Sequence, residues 1–171
     1  SFDEGWLVGN ILGDGSVANK QEICYLRYWG KNSEFMAALA LERIKSSVGC
    51  RSDCRVSNIK KPTEYKNIQS AKCYKLTREL GWENSKKIIT KEIMQSSSNF
   101  QKGFLRGLFD ADGHVEMADN KKGSSIRLSQ SNKKLLQSVQ IMLSNLGIIS
   151  KIYKRLDASE RYLPDTNRNP K

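Results

Sequence analysis

The sequence predicts a mixed α/β (α+β) domain made of two pseudo-symmetric repeats, and three observations carry that prediction. First, Leu7-Val8-Gly9-Asn10-Ile11-Leu12-Gly13-Asp14-Gly15 recurs as Leu105-Arg106-Gly107-Leu108-Phe109-Asp110-Ala111-Asp112-Gly113, an offset of 98 residues. Second, Ala37, Leu41, Ile44 and Val48 map at the same offset onto Leu135, Val139, Met142 and Leu146, and Gly49 maps onto Gly147. That spacing is one apolar face of a helix. Third, a strand-like segment lies between motif and helix in each copy. The halves fall at 1–98 and 99–171 and form one pseudo-symmetric domain.

Each element follows from local signals. Asp3 and Glu4 precede an apolar helix over Trp6–Leu12 that stops at Gly15. Ile23–Trp29 reads as a strand, with Leu26 and Tyr28 facing inward and Tyr25, Arg27 and Trp29 outward. Asn32 or Ser33 caps a helix that ends at Gly49. Val56–Lys60 and Lys72–Thr77 read as strands separated by Pro62, and Arg78–Trp82 as a short helix. Ser96-Ser97-Ser98-Asn99 joins the repeats and caps the helix from Phe100. Ser125–Gln130 is the second strand, with Ile126 and Leu128 inward. The offset sets Arg27 and Trp29 against Ser125 and Arg127. A helix over Asn132–Leu146 and a strand over Ile149–Lys154 follow. A second copy of the Lys72–Thr77 strand would lie past the last residue, so the second repeat reads as truncated, as in a domain cut from something longer.

Composition narrows the function. The 171 residues hold 29 Lys+Arg against 18 Asp+Glu, a net charge of +11. Such an excess favours a polyanionic partner such as nucleic acid. No run of 18 apolar residues and no secretory signal is present, so the expected setting is intracellular, away from membranes. Cys24, Cys50, Cys54 and Cys73 read as reduced thiols. The Cys50-x-x-x-Cys54 spacing is loose for zinc, although a zinc-stabilised nucleic-acid adaptor is a reading of a different class.

Gly9 with Gly13, and Gly107 with Ala111, are i, i+4 neighbours, so two helix backbones can approach closely. Asp14 and Asp112 then emerge together at the helix ends. Two carboxylates there repel each other and oppose the helix dipoles, which a hard divalent cation would relieve. One Asp-Gly copy alone would be only a turn. Two copies in phase in a basic protein point to a metal-dependent nuclease.

These motifs resemble the LAGLIDADG homing endonuclease family, in its single-chain, two-motif, intein-type form. The resemblance implies αββαββ repeats, motif helices packed at the centre and antiparallel sheets forming a DNA-binding saddle. It implies divalent metal at Asp14 and Asp112, with the carbonyls of Gly13 and Ala111 joining in. The cofactor would be Mg2+ or Mn2+, with Ca2+ occupying the site without supporting cleavage. Lys87-Ile88-Ile89-Thr90 resembles the family's Lys-x-Ile-Pro signature with Thr in place of Pro. Lys87 would then support the attacking water or the transition state, with Lys86 as the adjacent alternative. Gln130 and its offset partner Asn32 would order water, or act as helix caps. His114 is a near-site, DNA-contacting or structural residue, and Asp110 is structural. Tyr25, Arg27, Trp29, Ser125, Arg127 and Ser129 would line the saddle. Lys20, Lys31, Lys60, Lys61, Lys75, Lys151 and Lys154 would meet phosphates. The implied activity is double-strand cleavage of a long asymmetric DNA site by a monomer, leaving 3′ overhangs. The chain would be part of an intein or encoded in an intron. A nucleic-acid-binding protein or RNA maturase on the same scaffold is the alternative.

Overall fold

The computed structural model describes residues 1–51, 54–60, 64–83, 87–117 and 123–154. The first helix, α1 (Phe2–Gly13), starts from a capping box in which Ser1 Oγ accepts from Glu4 N–H and the Glu4 side chain returns to the Ser1 backbone. Residues 5–12 of α1 are all buried.

Two strands and a helix follow: β1 (Ser16–Ala18), β2 (Ile23–Tyr28) and α2 (Ser33–Arg43). A π-helical turn, Ile44–Val48, extends α2 to Gly49, whose φ of 75° ends it. Next come β3 (Ser57–Ile59), β4 (Tyr65–Ser70), α3 (Ala71–Glu79) and the short α4 (Lys91–Met94). The strands form an antiparallel sheet in the order β1-β2-β4-β3. Along β2, Cys24, Leu26 and Tyr28 are buried against the helices, while Ile23, Tyr25 and Arg27 turn to the open face.

Lys72–Thr77 is helix rather than strand. Ser70 Oγ accepts from Cys73 N–H and starts α3, and Cys73 and Thr77, one turn apart, are buried. The strand is the preceding Tyr65–Ser70, whose polar composition hides it.

The second half repeats the plan with α5 (Ser98–Asp112), β5 (Gly113–Glu116), β6 (Ser125–Leu128) and α6 (Lys133–Asn145). Ser97 Oγ caps α5 through Phe100 N–H, and Asn132 caps α6. Three expectations change here. Ile126 is exposed, as is its cross-strand partner Val115, because no described element covers that face of the two-stranded β5–β6 ribbon. Ile149–Lys154 is not a strand, since it pairs with none among the described residues. The register also shifts: Ser16 pairs with Tyr25 but His114 with Arg127, so the strand offset grows from 98 to 102 residues. The longer connection between Glu116 and Ser125 causes this, and Arg127 stands where Tyr25 does. The truncation expectation rested on Lys72–Thr77. The strand that forms is Tyr65–Ser70, and the 98-residue offset carries it to positions 163–168, outside the described residues.

The core centres on α1 and α5. A Cβ at Gly5 would lie 2.1 Å from the carbonyl oxygen of Phe100, and one at Gly103 1.9 Å from that of Phe2. Gly9 stands in the same relation to Phe104, at 2.0 Å, and Gly107 to Trp6, at 2.1 Å. Each contact and its mate are related by the 98-residue offset, so the helices cross on a local two-fold. Around them pack Leu7, Ile11, Leu26, Ile44, Ile68, Leu108 and Met142. Among the described residues no helix is long and apolar enough to cross a membrane.

Candidate metal centre and nucleic-acid face

The crossing of α1 and α5 brings both motif acids to one point. Asp14 is the C-cap of α1 and Asp112 the last residue of α5. A Cβ built at Gly13 would lie 2.6 Å from Ala111 Cβ and 3.1 Å from an Asp112 carboxylate oxygen, so the two helix ends touch. Desolvation raises the Asp14 carboxyl above its usual range, and the Asp112 charge raises it further, against a lowering by Lys87. Gln130 donates to the Asp112 carboxylate from Nε2.

Lys87 reaches the same point from a segment far along the chain. Its Nζ donates to three carbonyls at the end of α1: Ile11 at 3.2 Å, Gly13 at 3.1 Å and Gly15 at 2.8 Å. A cation on these carbonyls offsets the negative end of the helix dipole. Burial lowers the Lys87 ammonium below its usual range, and Asp112 and Asp14 oppose that lowering. The sequence sets Lys87 on water or substrate; the structure sets its donors on the α1 carbonyls, beside the acids.

The donor set fits a hard divalent cation. Two carboxylates converge with unfavourable self-repulsion, and a carbonyl keeps a second lone pair when one is engaged, so the Gly13 oxygen can serve both Lys87 and a metal. Among the described residues no group of three or more His, Cys, Asp and Glu forms a metal site. The remaining ligands would therefore be water, carbonyls and substrate oxygens. Of the four cysteines, Cys24 and Cys73 are core thiols that burial pushes up to about 11 and about 12.

A cavity of about 370 Å3 adjoins Asp14, lined in part by Asn10, Tyr28, Asn32, Asp110 and Ala111. Asn32 is thus near the acids, and it makes no side-chain cap bond to α2. Asp110 is held by Trp6 Nε1 at 2.9 Å and by Arg106. His114 is exposed opposite Arg127 on the β5–β6 ribbon.

The open face of the first sheet carries Tyr25 and Arg27, with Trp29 just past the end of β2. The Arg27 guanidinium lies 5.0 Å from the Tyr25 ring centre, and the Trp29 and Tyr65 rings are 5.4 Å apart. Lys20, Lys31, Lys60, Lys151 and Lys154 are exposed. On the second ribbon Arg127 pairs with Glu116 and with Ser125 Oγ, and Ser129 is exposed. Lys75 is not on this face. It sits on α3, which packs through Cys73 and Thr77 on the Cys24 side of the sheet. Lys61 and Lys86 lie outside the described residues.

Residues 99–168 match the family described as the LAGLIDADG-like domain. The chain thus carries a LAGLIDADG-like domain over its second repeat. Its fold is shared with structures of the homing endonuclease I-DmoI. Mesophilic variants of that protein align at a TM-score of 0.62 and 22% identity, over 93% of this chain and 84% of theirs. The crystal structure of I-DmoI with DNA and Ca aligns at 0.60 and 22%, over 89% and 75%. In sequence, the ribonucleoside-diphosphate reductase NrdEB subunit alpha of Bacillus subtilis (strain 168) is 27% identical over 174 residues, covering 95% of this chain. The reductase subunit of Bacillus phage SPbeta matches equally. The chain spans 16% of the length of these relatives.

Several residues that build the helix pair escape sequence reading. Gly5 and Gly103 extend the small-residue stripe by one turn, a signal visible in hindsight as i, i+4 from Gly9 and Gly107. Asn10 is buried between the helices, accepts from the Tyr28 hydroxyl at 2.7 Å and donates to the Gly107 carbonyl at 3.5 Å. Burial raises the Tyr28 phenol far above its usual value. No sequence pattern marks that chain of bonds, because its members lie far apart along the chain.

Proposed function

We propose that the chain is a site-specific double-strand DNA endonuclease that hydrolyses a phosphodiester in each strand with divalent metal. The observation that carries the reading is the convergence of Asp14 and Asp112 at the abutting ends of two glycine-packed helices, with Lys87 beside them. Asp14 and Asp112 would hold Mg2+ or Mn2+, with the carbonyls of Gly13 and Ala111 as further ligands and Ca2+ as a non-supporting occupant. The bound metals would supply Lewis-acid polarisation of the phosphate and an activated water.

The chain's own residues set up the rest. Gln130 orients the Asp112 carboxylate, and Asn32 faces the Asp14 side of the cavity, where each can order water. Lys87 fixes the α1 terminus and adds positive charge where the phosphorane charge would develop. The open sheet face, with Tyr25, Arg27 and Trp29, and the ribbon with Ser125, Arg127 and Ser129, would lie over the duplex. The exposed lysines 20, 31, 60, 151 and 154 would meet its phosphates.

The I-DmoI structures in complex with target DNA, and with Ca, Mn and Mg, support the partner and the metal class. Both motif helices come from one chain, which supports a monomer and one domain with halves 1–98 and 99–171. The match to a short stretch of a much longer reductase subunit supports an insert within a host protein, as an intein-borne or intron-encoded element acting inside the cell.

The test incubates the protein with a randomised duplex library, with Mg2+ or with EDTA, and sequences the cut ends. The expected result is metal-dependent cutting at one long asymmetric site. Retention of duplex with no cut in Mg2+ or Mn2+ would replace this reading with that of a binding protein or RNA maturase.

A further inference from the structure

The two motif acids are held in different ways. Gln130 donates to the Asp112 carboxylate, whereas among the described residues no side chain donates to that of Asp14. The strand register shows what stands in the first repeat where Gln130 stands in the second. Ser16 pairs with Tyr25 and His114 with Arg127, so three residues further along the chain Tyr28 takes the place of Gln130. The 98-residue offset leads instead to Asn32, which follows the phase of the helices and lies past the end of β2.

Tyr28 spends its proton on Asn10. The phenol is 5% exposed and donates to Asn10 Oδ1 at 2.7 Å, and burial keeps it protonated. Asn10 is 1% exposed and lies one helical turn before Asp14, whose N–H donates to the Asn10 carbonyl. At the 98-residue offset its mate on α5 is Leu108, fully buried, so an apolar side chain serves the same place in the other repeat. A buried amide is costly unless it is hydrogen-bonded, and packing alone does not call for one here.

The cavity beside Asp14 gives the pair a use. Asn10, Tyr28 and Asp14 all line its volume of about 370 Å3, and a polar space of that size takes water. A hydroxyl has one proton and two lone pairs. With the proton committed to Asn10, Tyr28 Oη offers the cavity an acceptor. A water that donates one proton to Tyr28 Oη and the other to Asp14 keeps its lone pairs turned away from both, as a nucleophile requires.

Resting on the endonuclease reading above, we propose that Tyr28 and Asn10 are positioning residues for the cut at Asp14, holding the reacting water against that acid, and that they serve one strand only. A duplex has two-fold axes of its own, and set on the axis between α1 and α5 it presents one strand to each acid. Gln130, which holds the other carboxylate directly, then serves the opposite strand.

The experiment uses the duplex returned by the cleavage selection, with a separate end label on each strand. Protein is in saturating excess in Mg2+, so that affinity drops out of the rate. Tyr28→Phe removes one oxygen and is expected to slow one strand by about 10- to 100-fold while the other stays within about 3-fold. Asn10→Leu/Tyr28→Phe makes both partners apolar and leaves no buried acceptor orphaned. It should show the same strand bias, with melting temperature and duplex retention in EDTA close to the wild type. Gln130→Leu should slow the other strand. Equal slowing of both strands by Tyr28→Phe and by the double variant overturns the proposal and makes the pair a packing device. Unchanged rates on both strands overturn it too, as does a Gln130→Leu bias toward the same strand. A wild type that cuts neither strand overturns the endonuclease reading itself, and this inference with it.

Discussion

At the scale of single residues, the two acids are the centre of the molecule, and their electrostatics make a prediction that needs no substrate. The folded pKa of Asp14 is raised, so its contribution to stability is present at low pH and is lost as pH rises through that value. Asp14→Asn removes the loss. In EDTA at pH 7 the variant should melt at a higher temperature than the wild type, with the gap closing on acidification through the carboxylate range, as scanning calorimetry reads. Divalent metal should raise the melting temperature of the wild type and not of the variant. In Mg2+, Asp14→Asn and Asp112→Asn should each cut at least about 10³-fold more slowly while still binding duplex, as gel-resolved cleavage and retention assays measure. Full cleavage by either variant would remove that acid from the metal site. Lys87→Met should slow the chemical step and leave affinity nearly unchanged, which separates it from a phosphate contact. Both acids were legible because the motif is written twice. Gln130 and Lys87 were named from family likeness, but their contacts, to the Asp112 carboxylate and to the carbonyls at the end of α1, were not. The Trp6–Asp110 and Tyr28–Asn10 bonds were not legible, because a hydrogen bond between distant segments leaves no local pattern.

At the scale of elements, the central helices are held by backbone against backbone. A methyl at Gly9 or Gly107 would meet a carbonyl oxygen about 2 Å away, far inside contact distance. Gly9→Ala and Gly107→Ala should each cost about 3 kcal/mol or more in urea unfolding, by nearly equal amounts because the contacts are mates. A cost below a few tenths in either would mean the helices can part freely. The capped start of α3 gives a milder test: Ser70→Ala should lose about 1 kcal/mol. Periodicity read the helices correctly where an apolar stripe was strong. It misread Lys72–Thr77 because Lys and Thr flank Cys, Tyr and Leu in a pattern that suits either element, and the deciding cap lies just upstream at Ser70. It misplaced Ile126 because alternation says which residues share a face, and not whether anything covers that face.

At the scale of the whole molecule, the halves agree at the axis and diverge away from it. The two-fold relates glycine to glycine and carbonyl to carbonyl at a constant 98-residue offset, yet the ribbons are out of step by four residues and carry different side chains. Under the proposed function that divergence predicts an asymmetric target, and a single copy should suffice to cut it. Sedimentation should find one 19.4 kDa chain per duplex, with a cleavage rate linear in protein concentration. A second-order dependence would make the chain a dimeric enzyme. With a net charge of +11, affinity should fall roughly 10³-fold or more between about 50 and 200 mM salt. Fold class and both motifs could be read from sequence because symmetry doubles every weak signal. The ribbon register could not, because loop length breaks the offset without leaving a mark in composition.

The glycine crossing also bears on how such a protein can change. What α1 and α5 recognise in each other is mostly main chain, and main chain is the same in every protein. A half whose motif helix keeps small residues at the places of Gly5, Gly9 and Gly13 therefore has little to renegotiate when it meets a new mate. The axis acts as a standard joint, and a sheet with a different reading face can be exchanged across it while the acids still arrive together.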